Sequence, residues 1–310
     1  MRLSKTISTS LLWLGMFAAV AVNVSSASIL SPFSGIVRLE DDDVEGIIGS
    51  TDPFLQNGDF LVAVAQFPFL GEVGGPVVGF NETTNMLTAI SLIKVSGDPV
   101  LDSGFGQNRA KYTFAAPTQA EWLALLGVAV SGDSTTLLAY DNPISNPHID
   151  TSTIANAIAT AGGGTLLYEF GLDGAAGTFW EAFTTVQSPL DPTNVANLVT
   201  GQGGGLQFAA ALNLIVNHAG PAIEKHNYLS TVAGELPSFF GPADFTAPTH
   251  LQLYGTNGGS ALPTSAELPL PTDSTAYINI SAVPEPMSMV VWLGLTSAIG
   301  VSAYRRSRTA

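Results

Sequence analysis

The densest set of side chains that could do chemistry is the acidic run Glu40-Asp41-Asp42-Asp43 with Glu45, followed by Asp52 and Asn57-Gly58-Asp59. Hard oxygen ligands gathered in one segment suit Ca²⁺, which takes six to eight oxygens at about 2.3–2.6 Å. Asp41, Asp43 and Asp59 are the expected ligands. The segment is not an EF-hand loop, because its glycine and closing glutamate are out of place. Consecutive acids on a strand would point to opposite faces, so a solvated acidic turn is the competing expectation.

Glu169 and Glu181 form a second candidate pair. A hairpin centred on Ala175 would place them opposite each other, an unfavourable meeting of like charges unless a proton or cation intervenes. Retaining glycosidases hold two carboxyl groups about 5–5.5 Å apart, and Tyr168, Phe179 and Trp180 lie near enough in sequence to stack on sugar rings. The histidines, His148, His218, His226 and His250, lack a metal-binding spacing such as His-Glu-x-x-His. Ser91-Leu92-Ile93-Lys94 matches a Ser-x-x-Lys string but falls inside a strand pattern, without the Lys-Thr-Gly element such enzymes add. Gly201 to Gly205 lacks the Lys-Ser/Thr of a phosphate loop. No strong catalytic constellation emerges.

The elements that must position these groups read as mainly β. Leu206, Phe208, Ala210, Leu212, Leu214 and Val216 alternate along one face of a long half-buried strand. Similar patterns cover Phe60–Phe67, Met86–Val95, Lys111–Ala115, Thr135–Tyr140, Thr165–Phe170, Thr178–Val186, His250–Tyr254 and Ala276–Ile280. Gly, Pro, Asn and Asp clusters separate them, and the expectation is an antiparallel β-sandwich-like body. Two short helices interrupt it. Thr118-Gln119-Ala120-Glu121 forms a capping box ahead of Trp122 and Leu123, with Gly127 as the stop. The second spans Thr151 to Ala161 and ends at Gly162 to Gly164. Gly255 to Ser274, rich in Pro, Ser and Thr, reads as a surface loop.

The 310 residues include 25 acidic and 10 basic side chains, for a net charge of −15, which excludes nucleic-acid binding driven by phosphate neutralisation. With no cysteine there is no disulfide framework and no thiol nucleophile. The N-terminus combines Arg2 and Lys5, an apolar run from Leu11 to Val22, and Ser25-Ser26-Ala27. That order describes a secretory signal peptide over residues 1–27, cleaved after Ala27 by signal peptidase.

At the other end stand Val283-Pro284-Glu285-Pro286, then 18 uncharged residues from Met287 to Tyr304, then Arg305, Arg306 and Arg308. A helix over residues 287–304 would rise about 27 Å, close to the ~30 Å hydrocarbon core. The basic tail, residues 305–310, would stay cytoplasmic and leave the preceding chain outside.

This triple arrangement resembles the PEP-CTERM sorting signal, over residues 283 to 308. The resemblance implies an exported bacterial protein handled by exosortase, a membrane-embedded cysteine transpeptidase-like enzyme, and moved on to the outer envelope or extracellular matrix. It implies an inner-membrane intermediate held by the C-terminal transmembrane helix. The body, residues 28–282, then carries all but the ends' five basic residues, and residues 28–286 have a net charge of −20. Such a surface repels polyanions and favours cations or neutral glycans.

The sequence therefore points to a structural or adhesive surface protein, with extracellular polysaccharide as a partner. A secreted glycan-active enzyme and a Ca²⁺-dependent glycan-binding module are the alternatives.

Overall fold

The computed structural model describes residues 28–49, 56–73, 77–79, 86–98, 100–102, 109–143, 149–185, 206–228, 247–257 and 262–281. The signal peptide, the sorting motif, residues 287–304 and the arginine tail all lie outside the described residues, as do Asp52, His148 and Gly201 to Gly205. Among the described residues no helix is long and apolar enough to cross a membrane.

The strands are β1 (Gly35–Ile48), β2 (Phe60–Glu72), β3 (Val77–Gly79), β4 (Met86–Val95), β5 (Val100–Asp102), β6 (Arg109–Ala115), β7 (Thr135–Asn142), β8 (Thr165–Gly171), β9 (Phe179–Thr185), β10 (Leu206–Asn217), β11 (Leu251–Asn257) and β12 (Leu270–Ile280). Two helices, α1 (Gln119–Leu126) and α2 (Ile154–Ala161), lie at or inside the expected spans.

The mainly-β expectation holds, but the sandwich gives way to a closed barrel. Eight antiparallel strands follow the order β11-β12-β1-β2-β4-β7-β8-β10, and β10 pairs back onto β11. Period-2 alternation is common to both architectures, so the pattern could not choose between them. The length of β10 decides. Its first half pairs with β11 and with β9, while Asn213 to Asn217 pair with β8. The strand shared in this way leaves the sheet no free edge at that seam. β4 is divided likewise: Met86 to Ser91 pair with β7, and Lys94 and Val95 with β6. The wall between β4 and β10 is thus built by β7 and β8 at one end, and by β6 and β9 at the other.

Two apolar clusters lie on either side of this wall. The larger fills the interior and includes Leu39, Phe67, Leu87, Phe170, Trp180, Phe208 and Ile278. The turn at Ser28 to Phe33 adds Leu30, 1% exposed, to that core. The second cluster joins the outward faces of β1, β2, β4 and β7 to the helices, through Val44, Val62, Ile90, Leu138, Trp122 and Ile158. Trp122 is fully buried and its indole N–H donates to the Thr135 carbonyl at 2.9 Å.

The capping box of α1 is formed as the sequence predicts, with Thr118 and Glu121 satisfying each other's backbone N–H groups. Gly127 closes the helix at φ 67°, a conformation glycine adopts without steric cost. The surface loop expected over Gly255 to Ser274 is shorter in the fold, because β11 runs on to Asn257 and β12 begins at Leu270. A Cβ at Gly46 would overlap the Glu267 carbonyl, so the loop's descent against β1 requires glycine there.

Candidate functional site

The acidic run is not a solvated turn. It forms the middle of β1, where strand alternation sends Asp41, Asp43 and Glu45 inward and leaves Glu40 and Asp42 on the outer face. Val37 and Leu39 occupy the same inward phase, so the column begins apolar and becomes acidic. A register shift between Glu40 and Asp42 marks a bulge beside Asp41. Asp41 is 7% exposed and Asp43 5%. Glu45 is half-buried and lines the same interior.

Strand β12 supplies the donors. Ser274 gives Asp41 its backbone N–H at 2.7 Å and its hydroxyl at 2.5 Å. The Thr272 hydroxyl donates to one oxygen of Asp43. Strand β2 supplies space, since Ala65 lies opposite Asp43 and Ala63 opposite Glu45, with Ala89 and Ser91 of β4 next in the wall. These small residues border a cavity of about 50 Å³ within the barrel, lined also by Tyr168 and Trp180.

Burial governs how the column titrates. It pushes the Asp41 carboxyl well above the usual range, aided by the charge of Asp43 and opposed by the two Ser274 hydrogen bonds. Asp43 is pushed up to about 7, by burial first, against the Thr272 hydrogen bond and with Asp273 and Asp42 adding like charge. Glu45 is raised by burial and then by Asp43. On the outer face Asp273 is raised by partial burial and by Asp42 and Glu40.

The set Asp41, Asp43 and Asp59 is not brought together. Asp59 precedes Phe60, six residues along β2 from the partner of Asp43, which is roughly 20 Å at strand rise. Its carboxylate instead accepts the Gln56 N–H at 2.7 Å. Among the described residues, no three His, Asp or Glu side chains gather to hold a metal ion.

The Glu169/Glu181 pair also dissolves. Both β8 and β9 pair with β10 and not with each other, so Glu169 lies opposite Leu138 and Val216, and Glu181 opposite Thr113 and Ala209. The hairpin geometry failed because β10 accepts both strands in succession. Glu169, 1% exposed, takes hydrogen bonds from the Ser131 N–H and hydroxyl, the Thr135 hydroxyl and the His218 ring at 2.7–2.9 Å. Burial alone would raise this carboxyl, but those donors outweigh it and hold it below the usual range. Glu181 is paired with Lys111 at 2.6 Å.

Tyr168 and Trp180 line the interior rather than a sugar-binding strip, and Phe179 packs in a separate cluster with Phe183 and Ala209. The Ser91 hydroxyl donates to the Thr136 carbonyl, while Lys94 binds Glu121. Those are structural roles for the Ser-x-x-Lys string.

What the sequence reading missed is the direction of the acids on β1. The signal was present in the phase: Val37 and Leu39 set the inward positions, and 41, 43 and 45 continue them. Comparison with known family models, curated proteins and solved structures finds no match to this chain.

Proposed function

We propose that this protein is an exported, acidic β-barrel of the bacterial cell surface or extracellular matrix, sorted by an exosortase, and that it acts as a structural or adhesive component without catalysis. Residues 1–27 direct export, residues 28–282 are the displayed body, and residues 283–310 are the signal cut near Val283-Pro284-Glu285-Pro286. Support for the address comes from the order of that motif, the apolar stretch and the arginines. A net charge of −20 on residues 28–286 suits a body in contact with hydrated neutral glycans.

One observation carries the non-catalytic reading. The two carboxylates placed by sequence as a hydrolytic pair sit on β8 and β9, which flank β10 and do not pair with each other, one bound by Ser131, Thr135 and His218 and the other by Lys111. A carboxyl held below its usual range is a poor general acid at neutral pH. The test is fractionation of cells expressing the full chain or a chain ending at residue 282. The full chain should reach the outer envelope or matrix only when exosortase is present. Equal inner-membrane retention of both chains would refute the sorting, and glycan hydrolysis abolished by Glu181→Gln would refute the non-catalytic role.

A further inference from the structure

Three strands share one mouth of the barrel: β7 ends there at Asn142, β4 begins at Met86 and β8 begins at Thr165. Asp141 stands at this mouth, opposite Leu87 and Thr165. Its neighbours fix its direction. Leu138 and Tyr140 pack against the helices, and the Asn142 side chain donates to the Thr160 and Ala161 carbonyls of α2. Leu137 and Ala139 line the interior, so Asp141 follows them in the inward phase and is 9% exposed.

The chain that meets this carboxylate is the stretch just after the expected cut at Ala27. The Ile29 N–H donates to Asp141 Oδ2 at 2.9 Å. Around it the chain folds into a turn, with the Ser31 N–H on the Ser28 carbonyl at 2.8 Å and the Phe33 N–H on the Leu30 carbonyl at 3.1 Å. The Ser34 N–H reaches Glu72 of β2 at 3.2 Å, and Gly35, at φ 80°, leads the chain into β1. The turn carries Leu30 into the mouth, where it is 1% exposed and lines the interior cavity with Leu39, Phe67 and Leu87. Leu30 is thus part of the wall between an apolar interior and water. Both side chains that accept N–H groups from this stretch across the mouth, Asp141 and Glu72, are acids.

Such a seat suits a positive charge at the start of the turn. One residue spans at most ~3.6 Å, so the Ser28 nitrogen lies within about 6.5 Å of Asp141 Oδ2, close to the range of about 4–6 Å in which opposite charges act on each other. In the uncut chain that nitrogen is an uncharged amide. Hydrolysis adds water across the Ala27–Ser28 bond: the carboxylate leaves with Ala27, and the amine stays on Ser28 and takes up a proton.

We propose that removal of the signal peptide completes the barrel, because the ammonium group freed on Ser28 pairs with Asp141 and locks the turn and Leu30 into the mouth. The proposal rests on the export reading above, which sets the cut at Ala27. The ammonium adds a charge-assisted hydrogen bond beside the one from Ile29, and a mostly buried carboxylate gains a counter-charge. Closure of the mouth is thereby tied to export, and the precursor keeps a looser one.

The experiment uses the full chain, expressed in exporting cells and recovered after processing. N-terminal sequencing reads the first residue, and competitive labelling across a pH series reads the titration of its α-amine. Sequencing should give Ser28. Half-deprotonation of the amine should need a proton concentration at least about tenfold lower than for an ordinary α-amine, whose pKa is about 7.7–8.0. Asp141→Asn should abolish that difference, while Asp98→Asn, at an exposed turn, should preserve it. If Asp141→Asn does not fold, hydrogen exchange of the unaltered chain decides. A group raised on folding loses its contribution as pH rises through its folded value, so protection of the Ile29 and Ser31 amides, corrected for intrinsic rates, should drop about tenfold across the amine's titration. A first residue other than Ser28 would overturn the proposal together with the processing it rests on. A Ser28 amine that titrates normally, or protection that does not change, would overturn the proposal alone. So would an Asp98→Asn effect as large as that of Asp141→Asn, which would mark the field of the acidic surface and not a pair.

Discussion

Asp41 and Asp43 of β1 and Glu169 of β8 are all shielded from solvent, yet they titrate in opposite directions. Glu169 receives four hydrogen bonds, from Ser131 twice, Thr135 and His218, and is held below the usual carboxylate range. Asp41, Asp43 and Glu45 share donors from Ser274 and Thr272 alone, have one another for neighbours, and are raised. Solvent exposure does not separate the two regions, since Asp43 is 5% exposed and Glu169 1%. The depth of protein around each carboxyl and the donors aimed at it together do. A buried carboxyl stays charged where the fold aims N–H and O–H groups at it, and otherwise favours its proton. Glu169 is thus a fixture of the wall, joining the loop before β7 to β8, while the column is an acidic stretch of an otherwise apolar interior.

The largest effect should come from removing the satisfied charge. Glu169→Ala strands the donors of Ser131, Thr135 and His218 in a buried site, and should cost about 3–5 kcal/mol in denaturant unfolding. An unchanged midpoint would break the comparison at its first member. The second effect has the opposite sign. Asp43→Asn removes an enclosed carboxyl with a single donor, and should stabilise the protein by on the order of 1–3 kcal/mol in denaturant melts at about pH 8. Destabilisation of similar size there would show that the column carries its charge without cost.

The pH profile sharpens the contrast further. Carboxyls raised on folding contribute stability that is complete below their unfolded values, near 4, and that is lost as pH rises through the folded values, about 7 for Asp43. Glu169 and Asp173, lowered on folding, contribute stability above about pH 4 that is lost as pH falls through their folded values. The melting temperature should therefore peak on the mildly acid side and fall from about pH 5 to 8. Calorimetry across that range would check this, and Asp41→Asn with Asp43→Asn should flatten the fall. The smallest effect is a control. Thr118→Ala removes the capping box of α1 at an exposed site, and should cost about 1 kcal/mol in thermal or denaturant melts, equally at pH 5 and 8.

Much of the frame was legible in the residues. Met86–Val95 and Leu206–Asn217 match their strands end to end, and the Thr118/Glu121 box and the Gly127 stop are in place. Alternation and capping are local signals, and local signals transmit well. Closure was not legible, because it depends on β10 pairing with β8, β9 and β11, which are contacts between distant segments. The same cause undid the Glu169/Glu181 hairpin, where a two-strand guess met a three-strand arrangement.

The β1 column was hidden for a different reason. Four consecutive acids look solvated, and only the phase set by Val37 and Leu39, together with Thr272 and Ser274 at inward positions of a strand on the far side of the sequence, reveals which of them turn inside. A burial pattern made of charged residues runs against the usual preference for apolar interiors, so composition argued for the wrong side.

The most direct measurement is an NMR titration of the side-chain carboxyl carbons of Asp and Glu. Three of them, assigned by Asp41→Asn, Asp43→Asn and Glu45→Gln, should titrate above the usual range, that of Asp43 near 7, while Glu169 stays ionised below it. Titration of all four carboxyls together near pH 4 would contradict the account, because the column would then lie in water and not inside the barrel.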